Sequence, residues 1–211
     1  MTWFGTFAII FGAVMALSQN DYKRMLSYVI IAEIGYIIGG IGVANATALR
    51  GAIFHIINDA MMVACLFLVA GLVMQKTKGH RIDNFTGIFR TMPMTAVIFT
   101  VGALAVIGVP PTCGFFSKWY LLLGGIEAHR WGFVTALLVS TLINVALFFR
   151  IFDKGLYVHE KKNAPDNPDT GEAPLSMLIP AAVLALTILL TGIFNQIIVN
   201  KVIRFAVPMG L

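Results

Sequence analysis

The stretch MPMTAVIFTVGALAVIGVPPTCGFFSKWYLLLGGIEA, Met92 to Ala128, decides how this chain is read. It is an apolar span, a break at Pro110-Pro111, and a second apolar span carrying one lysine, Lys118. An ammonium near a bilayer centre costs roughly 2.5–3.5 kcal/mol on insertion scales. A chain accepts that cost where the charge faces protein or water. Two adjacent prolines remove backbone donors and disfavour helix at the residue before them. Broken backbone at membrane depth is tolerated where protein buries it or where it lines a wet cavity. A broken helix beside an intramembrane lysine is therefore a candidate ion pathway. The plainer alternative is two ordinary helices joined by a Pro-Pro turn, with Lys118 snorkelling to the surface.

Working outward, the 211 residues are 58% hydrophobic and only 12% charged. Soluble domains carry about 25% charged residues, so the composition is that of an integral membrane protein. The net charge of +5 is spread over loops without a dense basic run, which gives no reason to expect nucleic acid as a partner. Cys65 and Cys113 cannot supply an iron–sulfur cluster or a Cys-rich zinc site, and both read as buried small apolar residues. No dinucleotide fingerprint, P-loop or HExxH is present, so no cofactor and no metal is expected. The first apolar stretch lacks the basic start of a cleaved signal peptide and reads as a span.

The expected spans are Trp3–Ser18, Met25–Val43, Gly51–Met74, the broken unit 92–128, Gly132–Phe152 and Leu175–Asn200. Residues 45–50 read as a turn, 75–91 as a polar loop, and Lys154–Ala173 as a longer hydrophilic loop. Gly5, Gly12 and Ala16 have the small-residue spacing suited to close helix contact. This divides the chain into a membrane unit over 1–153, a loop over 154–174, and a final span with its tail over 175–211.

A full span needs about 20 residues, and the half after the prolines is marginal for one. If 92–128 crosses once, segments 19–24, 75–91 and 150–174 share a side. That side carries ten basic residues: Lys23, Arg24, Lys76, Lys78, Arg81, Arg90, Arg150, Lys154, Lys161 and Lys162. The other carries four: Arg50, Arg130, Lys201 and Arg204. Two crossings would give nine against five. The positive-inside bias thus favours one crossing: an all-α polytopic bundle of about six helices, the fourth discontinuous. Segments 19–24, 75–91 and 150–174 are then cytoplasmic.

Four ionisable residues fall inside the spans: Glu33, His55, Asp59 and Lys118. His55 and Asp59, at i and i+4, share a helical face. Acid, imidazole and amine at membrane depth are the groups from which proton relays are built, because burial and neighbours tune their protonation. Each also has a quieter reading. His55 would be a neutral core residue, Asp59 a structural partner for a neighbouring helix, and Glu33 a hydrated group near an interface. Nothing in the residues says which carboxylate meets Lys118.

Three motifs carry a resemblance. Gln19-Asn-Asp-Tyr-Lys-Arg-Met-Leu-Ser-Tyr28 with Ile34-Gly35-Tyr36 resembles the Q-x-D-x-K-R-x-L-A-Y-S … I-G-Y signature of antiporter-like membrane subunits. These occur in respiratory complex I, Mrp-type cation/proton antiporters and membrane-bound hydrogenases. Phe54-His55-Ile-Ile-Asn58-Asp59-Ala60 through Leu66-Phe67 is similar to their H-x-x-N-H-A-x-x-K … L-F segment. Met92-Pro93, Gly108-Val-Pro110-Pro111 and Gly114-Phe-Phe-Ser-Lys118 resemble M-P … G-x-P-P … G-F-x-S-K.

The resemblance implies that Lys118 sits in a discontinuous helix on a proton path, with His55, Asp59 and Glu33 linking it toward mid-membrane and Lys23 at the cytoplasmic mouth. It implies proton or cation/proton translocation within a larger complex of a prokaryotic cytoplasmic membrane. It also implies that the chain holds only the second inverted repeat and final helix, so its partners would be the bilayer and other membrane subunits, one supplying the first repeat. Two departures matter: the family's second histidine is Asp59 here, and the lysine one turn later is Val63. Either the path has been rebuilt around carboxylates, or the chain is a non-conducting structural subunit or fragment.

Overall fold

The fold is that of a computed structural model describing residues 1–156 and 171–203. Lys161, Lys162, Arg204 and most of the loop 154–174 lie outside those residues. The described elements are all helical. They are α1 (Thr2–Leu17), α2 (Tyr22–Val43), α3 (Ala46–Thr77), α4 (Ile88–Thr91), α5 (Pro93–Ile107), α6 (Cys113–Glu127), α7 (Trp131–Leu156), α8 (Leu175–Ile193) and α9 (Asn195–Lys201). A 3-10 turn, Ile82–Phe85, precedes α4. Helices α2, α3, α7 and α8 are long and apolar enough to cross a membrane, and α1 and α5 are shorter apolar helices.

The broken unit runs in one direction. Ile98 and Gly102 of α5 lie against Cys65 and Leu66 of α3. Cys113 and Gly114 at the start of α6 lie against Asn58 and Met62. Leu121 then meets Gly51, and Gly124 meets Ala48. Contacts thus step steadily back along α3, as a single interrupted crossing requires and a hairpin forbids. Pairing of α5 with α6 end to end gives the six-pass bundle.

Several expected boundaries shift: α2 starts at Tyr22 rather than Met25, and α7 runs past Phe152 to Leu156, taking in the first residues of the expected loop. Residues 46–50 belong to α3, because the Asn45 side chain accepts from Ala48 N at 2.8 Å and starts the helix five residues early. The polar segment 75–91 is folded rather than an open loop, its 3-10 turn burying Ile82 and Phe85. The final span ends at Ile193, where Phe194 leaves helical geometry, and α9 is a separate short helix.

Small residues bring α1 onto α2: a side chain at Gly12 would strike Ala32 and Tyr28 backbone atoms, and one at Gly5 would strike Gly35 and Gly39. Gly192 of α8 lies equally close on the backbone of Pro111, Thr112 and Cys113. Backbone on both sides cannot give way, so Gly192→Ala should cost about 1–3 kcal/mol, read as earlier heat-induced loss of monodisperse protein in detergent.

The polar segments 19–24 and 75–91 meet at one end of the bundle. Tyr22 N donates to His80 O and Ile82 N to Asn20 O, each at 2.9 Å. Arg150 donates to Leu17 O and Gln19 O, and Lys154 pairs with Asp83. The Lys154 hydrogen bond, followed by its charge and that of Arg81, holds the Asp83 carboxyl below the usual carboxylate range. A lowered native value stabilises above the unfolded value, and that contribution is lost as pH falls through the native one. Since the pair is exposed, Asp83→Asn should cost less than about 1 kcal/mol at pH 7. The difference from wild type should vanish in strongly acidic buffer when the two melting curves are compared.

Candidate functional site: a buried Glu33–Lys118–His55 cluster at the helix break

Helix α5 ends at Gly108, whose φ of +89° suits glycine and turns the chain out of the helix. Gly108 N and Val109 N both bond to Leu104 O. The carbonyl of Val106 would ordinarily accept from the residue four positions on, but that is Pro110, which has no N–H. Lys118 supplies the missing donor, its Nζ lying 2.5 Å from Val106 O. The two prolines, joined by a cis peptide, therefore make the break and also free the acceptor that the lysine uses. The negative end of the α5 dipole favours a cation there as well.

Lys118 is 8% exposed and does not snorkel. Its Nζ also donates to Glu33 Oε1 at 3.2 Å and lies 4.8 Å from the centre of the Tyr36 ring. Glu33, completely buried, is no interfacial residue. Its other oxygen, Oε2, is 2.9 Å from His55 Nε2, close but off the line of a good hydrogen bond. His55 Nδ1 is 2.9 Å from Ser117 Oγ. One carboxylate on α2 thus bridges an ammonium on α6 and an imidazole on α3.

Protonation follows from counting hydrogens. Ser117 Oγ has one proton, and it can go to His55 Nδ1 or to the carbonyl of Gly114 at 3.2 Å. In the first case neutral His55 carries its proton on Nε2 and faces ionised Glu33 as a donor. In the second, Nδ1 donates to Ser117, and the Nε2–Oε2 contact needs a further proton on one of its two atoms. The cluster therefore has two hydrogen-bond arrangements that differ by one proton. Rotating one hydroxyl interconverts their outer ends.

Asp59 shares the helical face of His55 yet makes no ion pair among the described residues, and its Oδ1 is buried without a hydrogen-bond partner. Lys23 is exposed at the polar end of α2, ten residues and about 15 Å of helix from Glu33. Between that end and the cluster lie Tyr22, Phe85, Phe99 and Phe148, packed with ring centres 4.5–6.4 Å apart. Among the described residues, no ion pair joins Lys23 to the cluster. Cys65 and Cys113 are both buried and unpaired.

Residue-by-residue reading passed over Tyr36, Ser117, Ser140 and Asn144. Tyr36, three residues from Glu33 and so on its face, donates to Ser140 Oγ at 2.7 Å. Asn144 follows one turn along α7, completely buried, with neither amide atom partnered among the described residues. Tyr36 and Ser117 stood inside the quoted motifs. Ser140 and Asn144, at i and i+4 in an apolar span, were the available signal for α7. Beside Lys118 a cavity of about 200 Å³ opens between α6 and α7, lined by Ile107, Phe115, Trp119, Leu137, Leu138 and Thr141 among others.

Residues 1–144 match the family model described as NADH:quinone oxidoreductase/Mrp antiporter, TM. The chain is 41% identical over 218 residues to NADH-quinone oxidoreductase subunit N of Desulforudis audaxviator (strain MP104C), covering 99% of this chain and 44% of that protein. It is 28% identical to a Na(+)/H(+) antiporter subunit of Bacillus subtilis (strain 168), covering 93% of this chain and 39% of that one. Among solved structures, the Mrp complex from Dietzia sp. DQ12-45-1b matches with a TM-score of 0.84 at 20% identity, over 94% of this chain and 45% of that chain. Respiratory complex I from Thermus thermophilus with bound NADH also matches at 0.84, with 21% identity over 97% and 42%. The chain spans less than half the length of these relatives. With its residues 1–144 inside that family model and its helices in that fold, the chain belongs to the NADH:quinone oxidoreductase/Mrp antiporter transmembrane family.

Proposed function

We propose that this chain is a membrane subunit taking part in proton, or cation/proton, translocation within a larger respiratory, hydrogenase or Mrp-type complex. The observation that carries the reading is the position of Glu33, wholly buried between the Lys118 ammonium and the His55 imidazole. A static pair would need only one of these partners. Two partners on different helices let a proton arriving at His55 change what Glu33 offers to Lys118. Neutralising Glu33 frees Lys118 to release its own proton toward the cavity on the α6–α7 side, and re-ionising Glu33 recharges it.

The basic end of the bundle, with Lys23, Arg24, Arg81, Arg150 and Lys154, faces the cytoplasm on this reading, by the positive-inside rule. Other membrane subunits, among them one contributing a further repeat, complete the path, and any driving redox chemistry belongs to other subunits. Val63, standing where the resemblance expects a lysine, is the observation that favours the rival, a structural role without conduction.

The test is His55→Phe in the native complex reconstituted in vesicles, with proton and sodium indicators read separately. The ring's volume is kept and its proton lost. Flux should fall by about 10²-fold, the usual scale for removing an acid–base group, with the complex still assembled. Wild-type flux from an assembled His55→Phe complex would remove His55 from the path and favour the structural role.

A further inference from the structure

Among the buried residues of α7, Ser140 and Asn144 are polar, one turn apart on the same face, and both are completely buried. Ser140 Oγ accepts from the Tyr36 hydroxyl at 2.7 Å. Thr135 and Thr141, on the same helix, donate back to the carbonyl four residues earlier, at 2.8 and 2.9 Å. Ser140 makes no such bond among the described residues. With Tyr36 as the donor, the Ser140 proton is left without an acceptor there. Asn144 is in greater need, since neither its Oδ1 nor its Nδ2 has a partner among the described residues.

Burying polar groups without hydrogen bonds is costly, and folded proteins rarely do it. Complete burial leaves no way in for a side chain of another polypeptide, so the partner is small enough to be enclosed. The donor set selects which small molecule it is. Asn144 offers both an acceptor and an N–H donor, and Ser140 offers a proton. A bare cation is repelled by the N–H groups, and an anion finds no positive charge on this face. Water both donates and accepts, and a buried water typically makes about three hydrogen bonds to otherwise unsatisfied groups. Ser140 Oγ, Asn144 Oδ1 and Asn144 Nδ2 are three such atoms within one turn, about 6 Å of helix rise.

We infer that Ser140 and Asn144 bind an internal water that continues the Tyr36 hydrogen bond into α7, and that this water helps to fix Tyr36 beside the buried cluster. Tyr36 is worth fixing because its ring centre lies 4.8 Å from Lys118 Nζ and 5.5 Å from the centre of the His55 ring. Its hydroxyl, at the other end, reaches α7. Asn144 is thus a positioning residue, acting through the water, Ser140 and Tyr36. The site lies one turn nearer than Ser140 to the polar end of α7, where Arg150 and Lys154 stand. The inference goes beyond the transport reading and does not depend on it.

The test is X-ray radiolysis of the native complex in detergent, in which a bound water yields hydroxyl radical where it sits. Oxidation is read by peptide mass spectrometry. Phe148 is the reporter, completely buried and one turn beyond Asn144 on the same face. Exposed Trp131 is the control for bulk water. Phe148 should be oxidised in the wild type, about tenfold less in Asn144→Leu, and at the wild-type level in Asn144→Ser, which keeps a hydrogen-bonding group. Trp131 should be oxidised equally in all three. A second arm compares melting of the assembled complex. Asn144→Leu should lower the midpoint by roughly 2–4 °C. Added to Tyr36→Phe it should cost little more, because the two residues act along one chain of hydrogen bonds.

An unoxidised Phe148 in the wild type would overturn the inference, and that arm needs no variant to fold. So would equal oxidation of Phe148 in the wild type and Asn144→Leu. A higher midpoint for Asn144→Leu would show that the amide is a bare burden, and fully additive costs would show that Asn144 does not act through Tyr36. Neither readout is a flux. A conducting role for the Glu33 cluster can therefore fail in vesicles while this water site stands, and the reverse.

Discussion

Glu33→Leu is expected to lower the stability of the chain in its complex by about 3–5 kcal/mol, the usual cost of removing one member of a buried ion pair. The loss is large because Glu33 is the carboxylate in direct contact with the Lys118 ammonium. Without Glu33 its contacts are the Val106 carbonyl and the face of Tyr36, and burial keeps water away. Leucine keeps the volume, so cavity formation adds little. The interpretation is checked by Glu33→Leu combined with Lys118→Met. Replacing both members of a buried pair with apolar groups is often close to neutral, so the double variant should be more stable than Glu33→Leu alone. Residual assembled complex after graded heating in detergent measures all of these. Costs that simply add would show that Glu33 and Lys118 do not act as a pair.

Lys118→Met is expected to separate structure from transport. Glu33 keeps His55 at 2.9 Å as an alternative partner, so its carboxylate is not abandoned as the ammonium is in Glu33→Leu. The principal structural loss is the donor to Val106 O, which Pro110 cannot replace, at about 1–3 kcal/mol for an unsatisfied buried carbonyl. Assembly should therefore survive. Transport should not, because the thioether holds no proton and Lys118 is the group that, among the described residues, joins Glu33 to the cavity lined by Phe115, Trp119 and Thr141. The order of severity thus inverts between the two variants: Glu33→Leu is the worse for stability, and Lys118→Met leaves an assembled but silent protein.

Much of this was legible in the residues, and the limits have physical causes. The interrupted crossing followed from Pro110-Pro111 between two half-length apolar stretches, together with the bias of basic residues. The cost of an intramembrane charge made a buried Lys118 one of two readings, beside snorkelling to the surface. Which acid it meets did not: Glu33 lies 85 positions away in sequence, and helical spacing orders residues within a helix, never between helices. Spacing put Asp59 on the face of His55; His55 meets Glu33, whereas the buried Asp59 Oδ1 has no hydrogen-bond partner among the described residues. The early start of α3 was missed because Asn45 looked like a turn residue. Its side chain caps the helix instead and donates to Gly124 O across the bundle at 2.9 Å. The carbonyl of Val106 could have been anticipated, since a proline four residues on always leaves an acceptor free.

The central claim is that Glu33, His55 and Lys118 conduct as a unit, and proton flux through the intact complex in sealed vesicles addresses it most directly. Wild type and Lys118→Met are compared at equal assembled complex, quantified on the same vesicles. The expected result is flux in Lys118→Met at the level of empty vesicles, with assembly within a few-fold of wild type. Wild-type flux from the assembled Lys118→Met complex would contradict the relay and leave the cluster as a structural joint between α2, α3 and α6.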